Sequence, residues 1–302
     1  MKNKFQGALL GLAVGDALGG PLEFMSKNQI QIKHGVVSKM LGGGWLNLRP
    51  GQYTEDTILM LATAESLLEK KELDKKDLMS RYLEWFRLNP KDISQTTQTI
   101  LTAVENGEEV EKAAYLHKNE LIKEEGENDF LTRCIPLALY YFDNYENLMN
   151  KTMQAVMLTH YNKKMASGSV AVNLIIAHII NGETDKDKIL EQTQDLLDEN
   201  KLGLYNVLPD FKYKKKNTLR SSTHMQDTME TAIWIWQNMK NFKEAIIEAV
   251  NMGGDADTIG AVTGALNGAY YGVDEIPQEW LATLDDKNII NGIAKKIFKQ
   301  KS

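Results

Sequence analysis

The stretch GALLGLAVGDALGG, residues 7 to 20, carries the pattern on which the fold depends. Glycine recurs in it at every fourth position: Gly7, Gly11, Gly15 and Gly19. On a helix, residues with this spacing lie on one face. A face without side chains is a smooth ridge that a second helix can approach closely. We therefore predict a helix that packs tightly against another helix.

A secretory signal is a second interpretation of this segment, because the basic start MKNK is followed by an apolar run. Asp16 interrupts that run, and the glycine spacing favours a packed helix. No stretch of the chain is apolar for long enough to predict a membrane span. The chain contains one cysteine, Cys134, which excludes an internal disulfide and fits a reducing compartment. We expect a cytoplasmic protein without a membrane partner.

The composition predicts a protein with a substantial core and no general attraction to nucleic acid. The chain has 302 residues, 43% of them hydrophobic, and a formal net charge of -6. Its one basic run, residues 212 to 216, is typical of a solvated surface loop.

Apolar spacing favours helices nearly everywhere, since the i, i+3, i+4 pattern recurs along the chain. Examples of one-sided sets are Met60, Ala64, Leu67 and Leu68; Met229, Ala232, Ile233 and Trp236; Phe242, Ala245, Ile246, Ala249 and Val250; and the small residues Ala261, Gly264, Ala265, Gly268 and Ala269. Alternating strand patterns are scarce. We predict an all-α single domain over residues 1–302, with a helix and then a surface excursion between residues 184 and 224.

Two acidic clusters stand at the starts of predicted helices. One is Thr54, Glu55 and Asp56, and the other is GGDADT, residues 253 to 258. The ordinary interpretation is that Thr54 and Asp255 are N-caps and that the acids complement the helix dipole, each feature contributing about 0.5–1 kcal/mol.

The two clusters together favour a metal site, because each offers two carboxylates and a hydroxyl. Such oxygen ligands suit Mg²⁺ or Mn²⁺, and the chain lacks the Cys/His sets that zinc prefers. Converging helix starts could hold two cations roughly 3.5–4 Å apart, and the helix dipole would keep the carboxylates ionised. Gly253 and Gly254 would allow a tight turn and leave room for a ligand.

These motifs resemble the ADP-ribosylglycohydrolase family, all-helical enzymes with a paired metal site that remove ADP-ribose from modified proteins. The matching segments are GALLGLAVGDALGGPLEF, GGGWLNLRPGQYTEDT, NPKDIS, MLTH and AVNMGGDADTIGAVTGALNGAYYG, in that order along the chain. The resemblance implies a single-domain orthogonal multi-helix bundle over residues 1–302 that binds two divalent cations.

The resemblance also implies the site residues. The implied metal ligands are Thr54, Glu55, Asp56, Asp255, Asp257 and Thr258. The implied catalytic residues are Glu23, Glu55, Asp56 and Asp257. We expect Glu23 to reach the metal and ribose and to assist proton transfer or water placement. An exposed loop carboxylate is its other interpretation.

Three further residues are implied at the substrate. Asp92, in NPKDIS, lies near the ribose or caps the helix beginning near Ser94, and the pattern favours the cap. His160, in MLTH, contacts the ligand or satisfies carbonyls at a helix end, and the latter is commoner. Asn128 is expected to bind substrate. Trp45 lies near the first acidic cluster and could border a cleft.

Two departures from the family pattern affect the expected activity. Glu55 stands where the family usually has aspartate, which changes the reach of a carboxylate. In ENDFLTR, residues 127 to 133, Asp129 and Phe130 bring charge and bulk to a loop that is small and glycine-flanked in relatives. We expect this loop to disturb contact with the substrate's phosphates.

The expected function is metal-dependent removal of ADP-ribose from a modified protein or a small conjugate, with arginine as the favoured attachment. The alternatives are a hydrolase of another ADP-ribosyl conjugate, on serine, an acyl group or DNA, and a non-catalytic ADP-ribose or nucleotide binder of the same fold. A purely structural protein is a third. The pattern does not predict the oligomeric state or the choice between Mg²⁺ and Mn²⁺.

Overall fold

The computed structural model describes residues 1–119, 127–202 and 208–301, and within these ranges the chain is helical, with isolated β-bridges but no strand. The all-α prediction is confirmed. The helices are α1 (Lys2–Gly19), α2 (Lys27–His34), α3 (Glu55–Lys70), α4 (Lys75–Phe86), α5 (Gln95–Glu105), α6 (Ala113–His117), α7 (Phe130–Arg133), α8 (Ile135–Tyr140), α9 (Tyr145–Val156), α10 (Lys163–Ile180), α11 (Lys186–Glu199), α12 (Met225–Asn238), α13 (Phe242–Val250), α14 (Ala256–Tyr271), α15 (Gln278–Thr283) and α16 (Lys287–Lys301).

The glycine ridge of α1 packs against the small-residue face of α14, and the two helices run antiparallel. The facing pairs are Gly7 with Gly268, Gly11 with Gly264, Gly15 with Gly260, and Gly19 with Ala256. A Cβ added to any of the four α1 glycines would lie less than 3.0 Å from backbone atoms of its partner. The backbones therefore touch directly, which confirms the predicted ridge. This segment lies at the centre of the core, as expected of a packed helix.

Most predicted faces are buried as expected, including Met60, Ala64 and Leu67 on α3. The excursion after α11 differs from the prediction. Leu208 and Phe211 are buried, so these residues belong to the core, while residues 213 to 216 are exposed. Within the described ranges, no helix combines the length and the apolar character needed to cross a membrane.

We predict that Gly15→Ala destabilises the protein, because the new methyl group would overlap the carbonyl of Gly260 on α14. Overpacking of this kind costs roughly 1–3 kcal/mol. The matched control is Gly292→Ala on α16, where an added Cβ meets no heavy atom within 4 Å. The control should stabilise the protein by about 0.4–1 kcal/mol, because it reduces the entropy of the unfolded chain. Urea unfolding measures both changes, and equal effects would contradict the tight α1–α14 contact.

Candidate active site

A buried carboxylate from α1 holds the start of α3. Asp16 is fully buried and accepts four hydrogen bonds of 2.6–3.0 Å, from the backbone amides and hydroxyls of Thr54 and Thr57. These amides belong to the first turn of a helix, where no intrahelical acceptor exists. Asp16 thus caps α3 from another helix, and it fixes where Glu55 and Asp56 lie relative to α1.

The structure decides against the ordinary capping interpretation of the two acidic clusters. Thr54 and Asp255 do occupy the N-cap positions of α3 and α14, but neither side chain makes a capping hydrogen bond. The Thr54 hydroxyl donates to Asp16, and Asp255 accepts a 2.5 Å hydrogen bond from the Asn128 side-chain amide. These side chains are therefore positioned for something other than capping.

The loop before α14 is joined to the loop that follows α1. The Phe24 amide donates to the Gly254 carbonyl at 2.7 Å, and the Gly254 amide donates to the Met25 carbonyl at 2.8 Å. Gly253 and Gly254 have φ of 72° and 65°, which confirms the predicted tight turn. A Cβ at either would overlap backbone carbonyls of the protein itself, so the space at these glycines is filled by the chain and not left for a ligand.

This junction brings Glu23 to the second acidic cluster. Glu23, Asp255 and Asp257 are all buried, and each offers a carboxylate oxygen within 4.8 Å of the others. Glu23 is thus not an exposed loop carboxylate. The indole nitrogen of Trp45 donates to Glu23 Oε2 at 2.5 Å and fixes that side chain.

The first cluster meets the second across the gap between α3 and α14. The carboxylate of Asp56 lies within reach of the Thr258 hydroxyl on α14 and accepts a 2.5 Å hydrogen bond from Thr132 on α7. Glu55 and Asp92 lie close together, and their carboxyl groups interact electrostatically. The two predicted helix starts therefore converge on one site.

The electrostatics of this site fit a bound cation. Burial, and then repulsion from neighbouring carboxylates, raises the pKa of Glu55, Asp56 and Asp257 well above its ordinary range. The same two causes raise the pKa of Glu23 to about 8. In the protein alone, burial and crowding therefore outweigh the helix dipole that was expected to keep these groups ionised.

Three buried carboxylate oxygens of the site have no hydrogen-bond donor among the described residues: Glu55 Oε2, Asp56 Oδ2 and Asp92 Oδ2. Buried polar atoms normally have partners, and crowded carboxylates are stabilised by a cation between them. With oxygen-only donors, the set fits hard divalent ions such as Mg²⁺ or Mn²⁺.

Asp92 does not cap a helix, so the favoured interpretation of this residue is wrong. The N-cap of α5 is Ser94, whose hydroxyl accepts the Thr97 amide at 3.2 Å. Asp92 instead turns toward Glu55, and burial raises its pKa. The structure thus places Asp92 next to Glu55.

The 127–133 segment lies beside the site. Asp129 and Phe130, the two residues that depart from the family pattern, are both buried. The Asn128 amide donates to Thr228 at 2.7 Å as well as to Asp255. Asp129 forms a buried ion pair with Arg133, and Phe130 is fully buried. Although burial opposes it, the Arg133 guanidinium holds the pKa of Asp129 at about 2. The extra charge and bulk are therefore accommodated in the protein interior.

His160 bonds side chains, and the interpretation of it as a partner of helix-end carbonyls is wrong. Its Nδ1 lies 2.9 Å from the Thr159 hydroxyl, and its Nε2 lies 2.9 Å from Glu127 Oε2 and 3.4 Å from Asp129 Oδ1. The ring packs against Phe130. His160 therefore fixes the loop that carries Asn128.

Sequence reasoning missed Asp16, Thr132 and Glu127 as parts of the site. Asp16 carried a signal, since it is a charged residue in a helix that is otherwise apolar. Such a residue needs a buried partner. Thr132 and Glu127 stand in a polar segment where nothing in the spacing indicates which carboxylate or amide they contact.

Fold and site together define an all-helical protein with a buried carboxylate cluster suited to divalent cations. The family model for ADP-ribosylglycohydrolase matches residues 1–302. The chain is 34% identical to ADP-ribosyl-[dinitrogen reductase] glycohydrolase of Rhodospirillum rubrum, over 93% of this chain and 90% of the relative. It is 30% identical to ADP-ribosylarginine hydrolase Tri1 of Serratia proteamaculans, over 98% and 79% respectively. A solved structure described as an ADP-ribosylglycohydrolase-related protein complex superposes with a TM-score of 0.82 at 30% identity, covering 100% of this chain and 99% of that one.

The chain belongs to the ADP-ribosylglycohydrolase family, as the sequence motifs indicated. It is accordingly an enzyme that hydrolyses glycosidic bonds.

We predict that Asp16→Ala destabilises the protein and weakens cation binding together. The change leaves the first turn of α3 without its acceptor and should cost roughly 2–4 kcal/mol. Asp185→Ala is the control, because Asp185 caps the start of α11 through its own side chain. That loss should cost about 1 kcal/mol and leave cation binding unchanged. Urea unfolding and Mn²⁺ titration measure the two effects, and unchanged Mn²⁺ affinity in Asp16→Ala would contradict the role given to Asp16.

Proposed function

We propose that this enzyme uses divalent cations to hydrolyse the N-glycosidic bond between ADP-ribose and an arginine side chain, and that residues 1–302 act as one domain. The observation that carries the proposal is the buried carboxylate group of Glu23, Asp255 and Asp257, with Glu55 and Asp56 of the α3 start close enough to interact with it. The similarity to an ADP-ribosylarginine hydrolase supports arginine as the attachment.

The residues that would hold the cations come from three places in the fold. The loop after α1 contributes Glu23, and the two helix starts contribute Thr54, Glu55, Asp56, Asp255, Asp257 and Thr258. Cations bound there would supply Lewis-acid and templating chemistry to the ribose hydroxyls and to the hydrolytic water.

The remaining residues have roles that follow from their contacts. Burial raises the pKa of Glu23 to about 8, which suits a group that exchanges a proton near neutral pH, and burial also raises the pKa of Asp92. Asn128 holds Asp255, and His160 holds Glu127, whose other oxygen accepts the Thr96 amide at 3.1 Å. Besides any contact with substrate, Asn128 and His160 thus position the acidic groups.

The burial of Asp129 and Phe130 favours a catalytic role over a role in binding alone. A non-catalytic ADP-ribose binder was suggested by charge and bulk at Asp129 and Phe130. Both side chains are buried, and the charge of Asp129 is paired with Arg133 inside the protein. The proposed partner is an ADP-ribosylated protein or a small ADP-ribose conjugate, since a chain with a formal charge of -6 has no general attraction to nucleic acid.

We predict that Asp257→Asn abolishes metal-dependent release of ADP-ribose from an arginine-modified protein. The change keeps the shape of the side chain but removes a charge at the centre of the acidic group, so turnover should fall by roughly a hundredfold or more. Asp274→Asn is the control, because Asp274 is an exposed partner of Asn3 on the far end of α1. Release is measured with Mg²⁺, with Mn²⁺ and with a chelator.

Full activity of the parent in chelator, or of Asp257→Asn in Mn²⁺, would refute the metal-dependent site. Release from serine, acyl or DNA conjugates but not from arginine would leave the site standing and correct the linkage.

A further inference from the structure

Two exposed aromatic rings stand at the edge of the acidic site. Phe24 is 63% exposed and Trp45 is 44% exposed, and their ring centroids are 5.5 Å apart with an interplanar angle of 42°. We call these two rings the aromatic pair. Because Trp45 donates to Glu23, the pair lies directly beside the buried carboxylate group of Glu23, Asp255 and Asp257.

The backbone at Phe24 is strained without a compensating gain from burial. Its φ is 62°, in the left-handed region that bulky residues rarely adopt. Glycine or asparagine would fit this conformation at lower cost. The loop is held there by the hydrogen bonds to Gly254, yet the ring points mostly into solvent. A strained position that carries an exposed phenyl ring is typical of a contact with a ligand.

The exposed faces of the aromatic pair suit a guanidinium group. Aromatic faces attract this planar cation through the ring quadrupole, and it can stack on them. A second exposed cluster, Tyr115 and Tyr161 beside His160, differs in this respect. Lys118 Nζ already lies 3.5 Å from the Tyr115 ring centroid. These rings therefore already have a positive charge beside them.

We propose that Phe24 and Trp45 bind the guanidinium of the modified arginine, the leaving group of the reaction, and so select for a cationic attachment. The inference rests on the proposed function. The proposed contact orients the substrate in the site. The arginine leaves on the side where Glu23 and the aromatic pair lie. A neutral leaving group such as the serine hydroxyl gains nothing from this contact.

The test compares two variants that separate the ring from the hydrogen bond. Phe24→Asn removes one ring and keeps a residue suited to positive φ, so the fold is retained. Trp45→Phe keeps a ring and removes the donor to Glu23. Ile289→Ala is the control, since Ile289 is 55% exposed on α16. Unfolding in urea establishes that all three are folded.

The readouts are KM for an arginine-ADP-ribosylated peptide, inhibition by agmatine as a guanidinium probe, and Kd for ADP-ribose. Phe24→Asn should raise KM and the agmatine inhibition constant roughly threefold to tenfold, and leave Kd for ADP-ribose within about twofold. Ile289→Ala should change none of them. If Phe24→Asn kept the parent's KM, agmatine inhibition constant and Kd for ADP-ribose, the inference would be overturned. The proposed function would still stand.

A fluorescence titration separates the inference from the function. Agmatine added to the metal-loaded parent with saturating ADP-ribose should change the tryptophan emission, and Trp45→Phe should lose that change. If the parent released no ADP-ribose from any conjugate, the proposed function would fail, and this titration would still decide the guanidinium site. No agmatine-dependent change in the parent would overturn it.

Discussion

The direct backbone contact between α1 and α14 is the constraint on which the rest of the structure depends. Only glycine on one side and glycine or alanine on the other allow it. Because the helices are antiparallel, the end of α1 meets the start of α14, and Glu23 is brought to Asp255 and Asp257. The same end of α1 carries Asp16, which holds the start of α3. One close contact thus assembles three separate segments into a single site.

In the protein without bound cations, the carboxylate cluster is energetically unfavourable. Burial and mutual repulsion raise the pKa of its carboxyl groups, and several of their oxygens have no donor among the described residues. Such a cluster is held by the stability of the surrounding helices, and cation binding would relieve it. The contacts made by Asp16, Thr132 and Asn128 determine where each carboxylate lies before any ligand arrives.

Much of this could be read from the sequence, and the failures have a common cause. The spacing of glycines and small residues predicted α1 and α14, and the acidic clusters predicted both helix starts. The sequence could not show that Asp16 takes the place of a side-chain cap from Thr54, or that Ser94 and not Asp92 caps α5. Capping residues look alike in sequence, because the same side chains can bond a helix end, another helix or a ligand.

The sequence by itself determined the helical class, the faces that are buried and the residues able to bind a cation. Local periodicity and residue chemistry suffice for these, since they depend on neighbours three or four positions away. Only the tertiary structure decided that Glu23 joins the second cluster, that Asp129 is neutralised by Arg133 inside the protein, and that Phe24 and Trp45 remain exposed beside the site. Periodicity specifies that a face is covered but not which distant segment covers it, because that choice depends on packing across the whole chain.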